Sequence, residues 1–319
     1  MNEFEIIKSY FQSLAKKNPN SKKLNDDIFY DKKNKLAVSI DTYNQGIHFL
    51  NFRKPDLVIK KIIRSSISDL ICKGVRPKYY FISASGSKKH FQHKYLKLIK
   101  KSLEEEQRKF DILLSGGDTT KSNNLSFSIT SIGFARQIVE RNKAKINDDI
   151  YVTGNIGDSF LGLQLLKKKF KLAKAKEKYF INKYYLPSLP INFSKNLVNF
   201  GNTSIDISDG LIADMKRLLN KQDLSFEIWL DKIPISNHLR SYINNNNQKK
   251  SEFLFNGDDY QILFTSSKEN RKLIKNFSKN MNQKVTIIGQ INQSNENNRV
   301  IDQNNVNFLG KYEGYLHKF

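Results

Sequence analysis

The 319-residue chain carries only 15 glycines, where average usage would give about 22, and the positions of the survivors constrain it most. Gly116, Gly117, Gly157, Gly210 and Gly257 each lie within two residues of an aspartate. Glycine at such a place permits a tight turn and close ligand approach, with an exposed acid beside it. The acids form a set: Asp26-Asp27, Asp41, Asp69, Asp118, Asp206, Asp209 and Asp258-Asp259. Hard divalent cations take oxygen ligands, and Mg2+ combines a few carboxylates with water and phosphate. The single cysteine, Cys72, rules out a disulfide framework and a Cys-based zinc cage. The set therefore favours a Mg2+–phosphate site over a zinc hydrolase.

Periodicity divides the chain. Glu3 to Lys17 reads as an amphipathic helix with Phe4, Ile7, Phe11 and Leu14 on one stripe. Leu36, Val38 and Ile40 alternate with Ala37, Ser39 and Asp41, as in a half-buried strand. Asp56 to Lys73 is helical, turning Ile59, Ile62, Ile63, Leu70 and Ile71 to a core and stopping at Gly74. Tyr79 to Ala84, Ile112 to Leu114 and Ser126 to Phe134 read as strands, and His90 to Arg108 as a helix. The polar segment 136–149 marks a boundary, giving units 1–140 and 141–319. Beyond it come a strand at Ile150 to Val152, a helix over Asp158 to Lys169 and a helix after Gly210. Phe226 to Leu230, Tyr260 to Thr265 and Val285 to Ile291 read as further strands. The fold class is a mixture of α/β and α+β.

Lys and Arg total 54 against 31 Asp and Glu, a formal charge of +23. Such an excess suits a nucleic-acid partner. It equally suits a skewed residue supply, since Lys, Asn, Ile, Phe and Tyr, all with AT-rich codons, are abundant throughout. The basic residues are scattered while the acids are the organised element, which argues against nucleic acid. No run of about 20 apolar residues is present for a membrane span, and Glu3, Glu5 and Lys8 break any signal-peptide core. The expected compartment is the cytoplasm.

Single residues leave alternatives open. Ser208 and Asp209 stand at a helix start, where both are ordinary caps, yet a helix N-terminus also presents N–H groups to phosphate. Asp69 lies inside a helix at the edge of its apolar stripe, either as a paired carboxylate or as a ligand. Ser39 and Asp41 share a strand face opposite Val38 and Ile40, so both oxygens could meet one ion. His48 is either a packed histidine or a contact. The turn Thr153 to Gly157 lacks the Gly-Lys-Ser/Thr ending of a Walker A loop, and the protein-kinase motifs are absent.

The order of motifs is more specific than any one of them. Glu3-Phe4-Glu5-Ile6-Ile7, Asp26-Asp27, Ser39-Ile40-Asp41, Gly46-Ile47-His48-Phe49 and Ser68-Asp69-Leu70 are followed by Gly116-Gly117-Asp118-Thr119-Thr120, Val152-Thr153-Gly154, Asp206-Ile207-Ser208-Asp209-Gly210-Leu211 and Gly257-Asp258-Asp259-Tyr260. This series resembles the thiamine-monophosphate kinase family over essentially the whole chain, within the superfamily of aminoimidazole ribonucleotide synthetase and selenophosphate synthetase. The resemblance implies a two-domain aminoimidazole ribonucleotide synthetase-like fold, with an N-terminal α/β dimerisation domain, a C-terminal α+β domain, and ATP and metal sites between them. It implies ATP-dependent phosphorylation of thiamine monophosphate at a cluster of several Mg2+ ions, by a cytoplasmic homodimer without a nucleic-acid or membrane partner.

By the same resemblance, Asp27, Ser39, Asp41, Asp69, Asp118, Asp206 and Asp209 match metal positions, with Ile40 able to offer only its backbone carbonyl. Gly117, Asp118, Arg141 and Ser208 match ATP contacts. His48, Asp258 and Tyr315, the last in Glu313-Gly314-Tyr315, match contacts to the acceptor. No catalytic side chain is implied, because transfer is direct. The sequence departs from the family pattern at Ile40, where a Thr is common, and at three further places. Lys23-Leu24-Asn25 replaces a usual Gly-Ile-Gly and predicts a less tight loop. Asp258 stands for a Glu, and Gln261 stands where another Glu is common. The alternatives are a superfamily enzyme with another acceptor, a degenerate relative without activity, or a basic nucleic-acid-binding protein.

Overall fold

The computed structural model describes residues 1–294, 296–309, 314–317 and 319; Glu313 of the C-terminal motif lies outside them. Two sheets organise the chain. The first holds β1 (Phe29–Asp31), β2 (Leu36–Asn44), β3 (Arg76–Gly86), β4 (Leu113–Lys121) and β5 (Ser126–Phe134) in the order β1-β2-β5-β3-β4. All its pairings are antiparallel except β3 with β4. The second runs β11-β8-β10-β6-β9-β7, from β6 (Asp149–Thr153), β7 (Thr203–Asp206), β8 (Leu224–Trp229), β9 (Ile262–Ser266), β10 (Val285–Gln293) and β11 (Arg299–Ile301).

Short α1 (Glu3–Ile6) opens the chain, and α2 (Pro55–Cys72) and α3 (His93–Phe110) accompany the first sheet. With the second sheet come α4 (Asp158–Leu166), α5 (Lys174–Tyr185), α6 (Ile191–Ser194), α7 (Leu211–Leu218), α8 (Asn237–Asn245), α9 (Ser251–Leu254) and α10 (Arg271–Asn280).

Helix α2 is the axis of the molecule. It packs on β2, β3 and β5 on one side and on β7, α5 and α6 on the other. Its apolar residues Val58, Ile59, Ile62, Ile63, Ile67 and Ile71 join one core with Tyr184, Tyr185, Phe193 and Phe264 from the second half. Burial on all sides also takes in Lys61, Arg64, Ser65, Ser66 and Ser68. Buried polar groups must be paired. Arg64 meets Glu106 of α3 through two bonds of 2.8 Å, and Ser66 meets Ser131 of β5 at 2.7 Å.

Three expectations need correction. The N-terminal segment is not one amphipathic helix: α1 gives way to a π turn over Ile7–Phe11 and a 3-10 turn over Leu14–Lys17. Its stripe finds no core, and Phe4, Phe11 and Leu14 are exposed. The short strand expected at Ile112–Leu114 extends as β4 through the Gly116-Gly117-Asp118 motif, which is therefore strand and not a terminal turn. The loop of Lys23 and Leu24 is also tighter than predicted, because Lys22, Lys23 and Leu24 adopt left-handed φ angles of 52°, 57° and 53°. The fold of β2 has its own reversal. Ala37, Ser39 and Tyr43 face the core, while Ile40 is 70% exposed on the opposite face.

Candidate functional site

Where the end of α2 meets β7 and the loop before β1, the carboxylates of Asp27, Asp69 and Asp206 come within 4.8 Å of one another. Each arrives from a different element. Asp69 projects from the last turns of α2, Asp206 ends β7, and Asp27 follows the left-handed loop. Ser68 donates to Asp206 Oδ2 at 2.5 Å. Asp41 on the inner face of β2 accepts from Tyr43 at 3.1 Å.

Burial raises the pKa of Asp41 to about 7 against the Tyr43 hydrogen bond, with Asp206, Glu3 and Asp209 adding repulsion. Burial likewise pushes Asp69 well above the usual carboxylate range, reinforced by Asp41 and Asp206, and raises Asp206 despite the Ser68 bond and Arg141. Like charges gathered in a low-dielectric place cost free energy until a cation joins them. The donors are all hard oxygens, which suits Mg2+ and not a thiolate-seeking metal.

Two cations of the chain already touch this cluster. Arg141 meets both oxygens of Asp27, with Nε 3.2 Å from Oδ2, and its backbone N–H donates to Asp26 at 3.0 Å. Lys73, fully buried, lies 2.8 Å from Asp26 Oδ1 and 2.6 Å from Asp27 Oδ2.

The motif loops of the second half are sewn to each other by backbone. Asp258 N–H donates to Ser208 O at 2.9 Å, and Tyr260 N–H to Ile207 O at 2.8 Å. A Cβ at Gly257 would stand 1.9 Å from Ser208 O, and one at Gly210 2.3 Å from Phe255 O. Only glycine lets the two strands of loop approach this closely. Asp214 of α7, fully buried, accepts from the backbone N–H groups of Ser208, Asp209 and Gly210 at 3.0–3.1 Å. Arg217 bridges Asp214 and Asp209, and its guanidinium lies over the Phe4 ring at 4.6 Å.

A second group gathers around Asp258. Buried Lys61 pairs with it at 2.5 Å, Tyr260 donates to it at 3.0 Å, and the Lys61 ammonium stands 4.0 Å from the Tyr184 ring centre. Burial lowers the pKa of Lys61 against the attraction of Asp258. His48 is half-buried, with Nδ1 accepting from Asn44 N–H at 2.9 Å and its ring 5.3 Å from that of His317. Tyr315 stacks edge-on to His317 at 5.0 Å, and its N–H donates to Asp209 O at 3.0 Å. Burial lowers the His48 pKa, and His317 adds to that.

The structure thus brings together Asp27, Asp41, Asp69 and Asp206, with Ser39 alongside, donating to Ser66 O at 3.3 Å. Asp209, Ser208, Asp258, His48 and Tyr315 surround the joined loops. Gly117 and Asp118 stand apart: both are exposed on edge strand β4, where Asp118 accepts from Thr119 N–H at 2.7 Å and pairs with no residue of the cluster. Ile40 turns its side chain away. Gln261 is structural, spanning Thr153 and Ser188 at 3.0 and 2.8 Å. A cavity of about 540 Å³, lined by Asp231, Arg240, Lys250 and Lys284 among others, includes none of the candidate residues.

Sequence reading missed Lys61, Lys73, Asp214 and Arg217. In a chain this rich in lysine no single one stands out. A signal existed, however: Lys61, Ser65, Ser68, Asp69 and Cys72 recur at helical spacing inside an otherwise apolar helix, which marks a polar face turned inward.

The family models for AIR synthase related protein match this chain, the N-terminal domain over residues 25–135 and the C-terminal domain over 145–302. A thiamine-monophosphate kinase of Buchnera aphidicola subsp. Schizaphis graminum is 36% identical over 99% of this chain and 98% of its own. The chain belongs to the thiamine-monophosphate kinase family. Another thiamine-monophosphate kinase, from Aquifex aeolicus, is 32% identical over 84% of this chain and 87% of its own. A solved structure named "AaThiL complexed with AMPPCP and TMP" superposes with a TM-score of 0.84 at 29% identity, covering 99% of this chain and 97% of that one. Thiamine-monophosphate kinases and this chain therefore share one fold, the two-domain aminoimidazole ribonucleotide synthetase-like arrangement expected from the motifs.

Proposed function

We propose that the chain transfers the γ-phosphoryl group of ATP to the phosphate of thiamine monophosphate, giving thiamine diphosphate and ADP. The observation that carries this reading is the meeting of Asp27, Asp69 and Asp206 at one point, in a member of a kinase family. Both reactants are polyanions, and Mg2+ bound there supplies the positive charge that lets their phosphates approach. Asp27, Asp41, Asp69, Asp206 and Asp209 would hold the ions, with Ser39 and the Ile40 carbonyl as further oxygens.

Arg141 and Ser208 would bind the nucleotide. Arg141 now spends its guanidinium on Asp27 and is free to turn to a phosphate once that carboxylate is neutralised. His48, Asp258 and Tyr315 orient the acceptor. A phosphate oxygen is already ionised near neutral pH, so no general base is required. Transfer is in line and direct, driven by positioning and charge neutralisation.

A homodimer belongs to the same proposal. The outer face of the first sheet exposes Ile40, Phe81 and Phe134, and its edge exposes Leu113 and Leu114, an apolar area that a second copy would cover. So do a division into two domains near residue 140 and a cytoplasmic setting. Among the described residues no helix is long and apolar enough to cross a membrane.

The test is ADP release from MgATP with thiamine monophosphate, with thiamine, or with no acceptor. Release that requires thiamine monophosphate is expected, and Asp206→Asn should lower kcat by at least about a hundredfold. Turnover indifferent to the acceptor, or an Asp206→Asn enzyme as fast as the parent, would overturn the reading.

A further inference from the structure

Lys73 is the most completely enclosed cation of the molecule's centre. It caps the C-terminal end of α2, and its side chain has no exposed surface. A primary ammonium has three N–H donors, and all three are spent: on Asp26 Oδ1 at 2.8 Å, on Asp27 Oδ2 at 2.6 Å and on the Ser204 carbonyl of β7 at 2.6 Å. Removing a charge from water is tolerated only when it is paired in this way. The partners come from the loop before β1 and from the second sheet, so the ammonium sits where the two halves and the acid cluster meet.

Lys73 differs from the other cation there. Arg141 keeps 13% of its side chain exposed, whereas that of Lys73 has none. Lys73 has no route out short of separating α2 from β7. An ion held by Asp27 would compete with the Arg141 guanidinium for that carboxylate, while the enclosed Lys73 ammonium would remain paired to it. Asp26, which lies outside the trio of converging carboxylates, accepts from Lys73, from the Arg141 backbone N–H and from the Asp27 backbone N–H.

We propose that Lys73 is a permanent cation of the aspartate cluster, holding at Asp26 and Asp27 the place of one divalent ion and so setting how many ions the site takes and how tightly. This rests on the metal-site reading above and deepens it. Each unit of built-in positive charge weakens the attraction that remains for incoming ions, and it keeps the cluster folded when ions are scarce.

The experiment counts bound Mn2+ per chain by electron paramagnetic resonance and records Tm in EDTA and in excess Mn2+, for the full chain and for Lys73→Met and Lys73→Arg. Lys73→Met is expected to lose several degrees of Tm in EDTA, to recover most of that loss with Mn2+, and to bind one further ion or bind Mn2+ about tenfold more tightly. Lys73→Arg keeps the charge and should keep the parent's ion count. An equal loss of Tm with and without Mn2+, at unchanged count and affinity, would reduce Lys73 to a structural pin. Failure of Lys73→Met to fold even with Mn2+ would overturn the proposal equally, since no ion then replaces the ammonium. A parent chain that takes up no Mn2+ at all would instead remove the metal-site reading beneath it.

Discussion

Lys23 and Leu24, which stand for a usual Gly-Ile and follow the equally left-handed Lys22, show what one departure from a family pattern costs. Three successive side chains in the left-handed region carry a penalty of about 1–2 kcal/mol each, which glycine escapes. Glycine in turn gives up about 0.5–1 kcal/mol in chain entropy. Lys23→Gly should therefore stabilise the protein by about 0.5–1 kcal/mol in urea unfolding, and a loss of stability would show that the loop is not held as described. The aspartates and glycines around Asp206 and Asp258 were legible in the sequence because glycine is scarce here. Lys61 and Lys73 were not, because lysine is everywhere and only packing distinguishes a buried one. Asp118 was legible as a motif, but its distance from the cluster depends on which edge of the sheet β4 occupies, and no local pattern records that.

Among the elements, β2 bears two tasks at once. Its inner face brings Ser39 and Asp41 to the cluster, and its outer face presents Ile40 to solvent. Alternation revealed the strand and the shared face of Ser39 and Asp41; it could not say that the polar face is the buried one, because period two is symmetric between faces. Ile40→Asp places a charge on the proposed contact between copies, and sedimentation should report a shift from dimer to monomer. A mass unchanged by the substitution would remove this face from the interface. Helix α2 was readable in extent from its spacing, whereas its burial on both sides follows only from the second sheet docking on it. The N-terminal segment failed as a helix for the converse reason. Its apolar stripe has the right spacing, but among the described residues no apolar core receives it, and Phe4 lies against the Arg217 guanidinium.

At the scale of the molecule the acid cluster ties stability to pH. Folded Asp41 keeps its proton to about pH 7, whereas its ordinary value is 3.8. Asp69 and Asp206 are displaced the same way. The folded chain thus binds more protons than the unfolded one across this window. Without metal, stability should fall as pH rises from about 4 through about 7, and Asp214, raised by burial to about 8, extends the fall beyond that. Excess Mg2+ takes the place of those protons and should flatten the slope. Urea midpoints at about pH 5 and about pH 8, in EDTA and in Mg2+, check both; a metal-free midpoint that climbs with pH would contradict the shifts.

The central position of α2 also bears on how the polypeptide emerges from the ribosome. Lys61 waits for Asp258, 197 residues later, and Lys73 for the Ser204 carbonyl, 131 residues later. At ordinary elongation rates the first delay is roughly 10–40 s. Between residue 134 and Ser204 a nascent chain has every strand of the first sheet but two lysines on its main helix without their distal partners, and an apolar helix face without its cover. Nascent chains stalled shortly after residue 140 should be clients of holding chaperones, released only when the second sheet arrives.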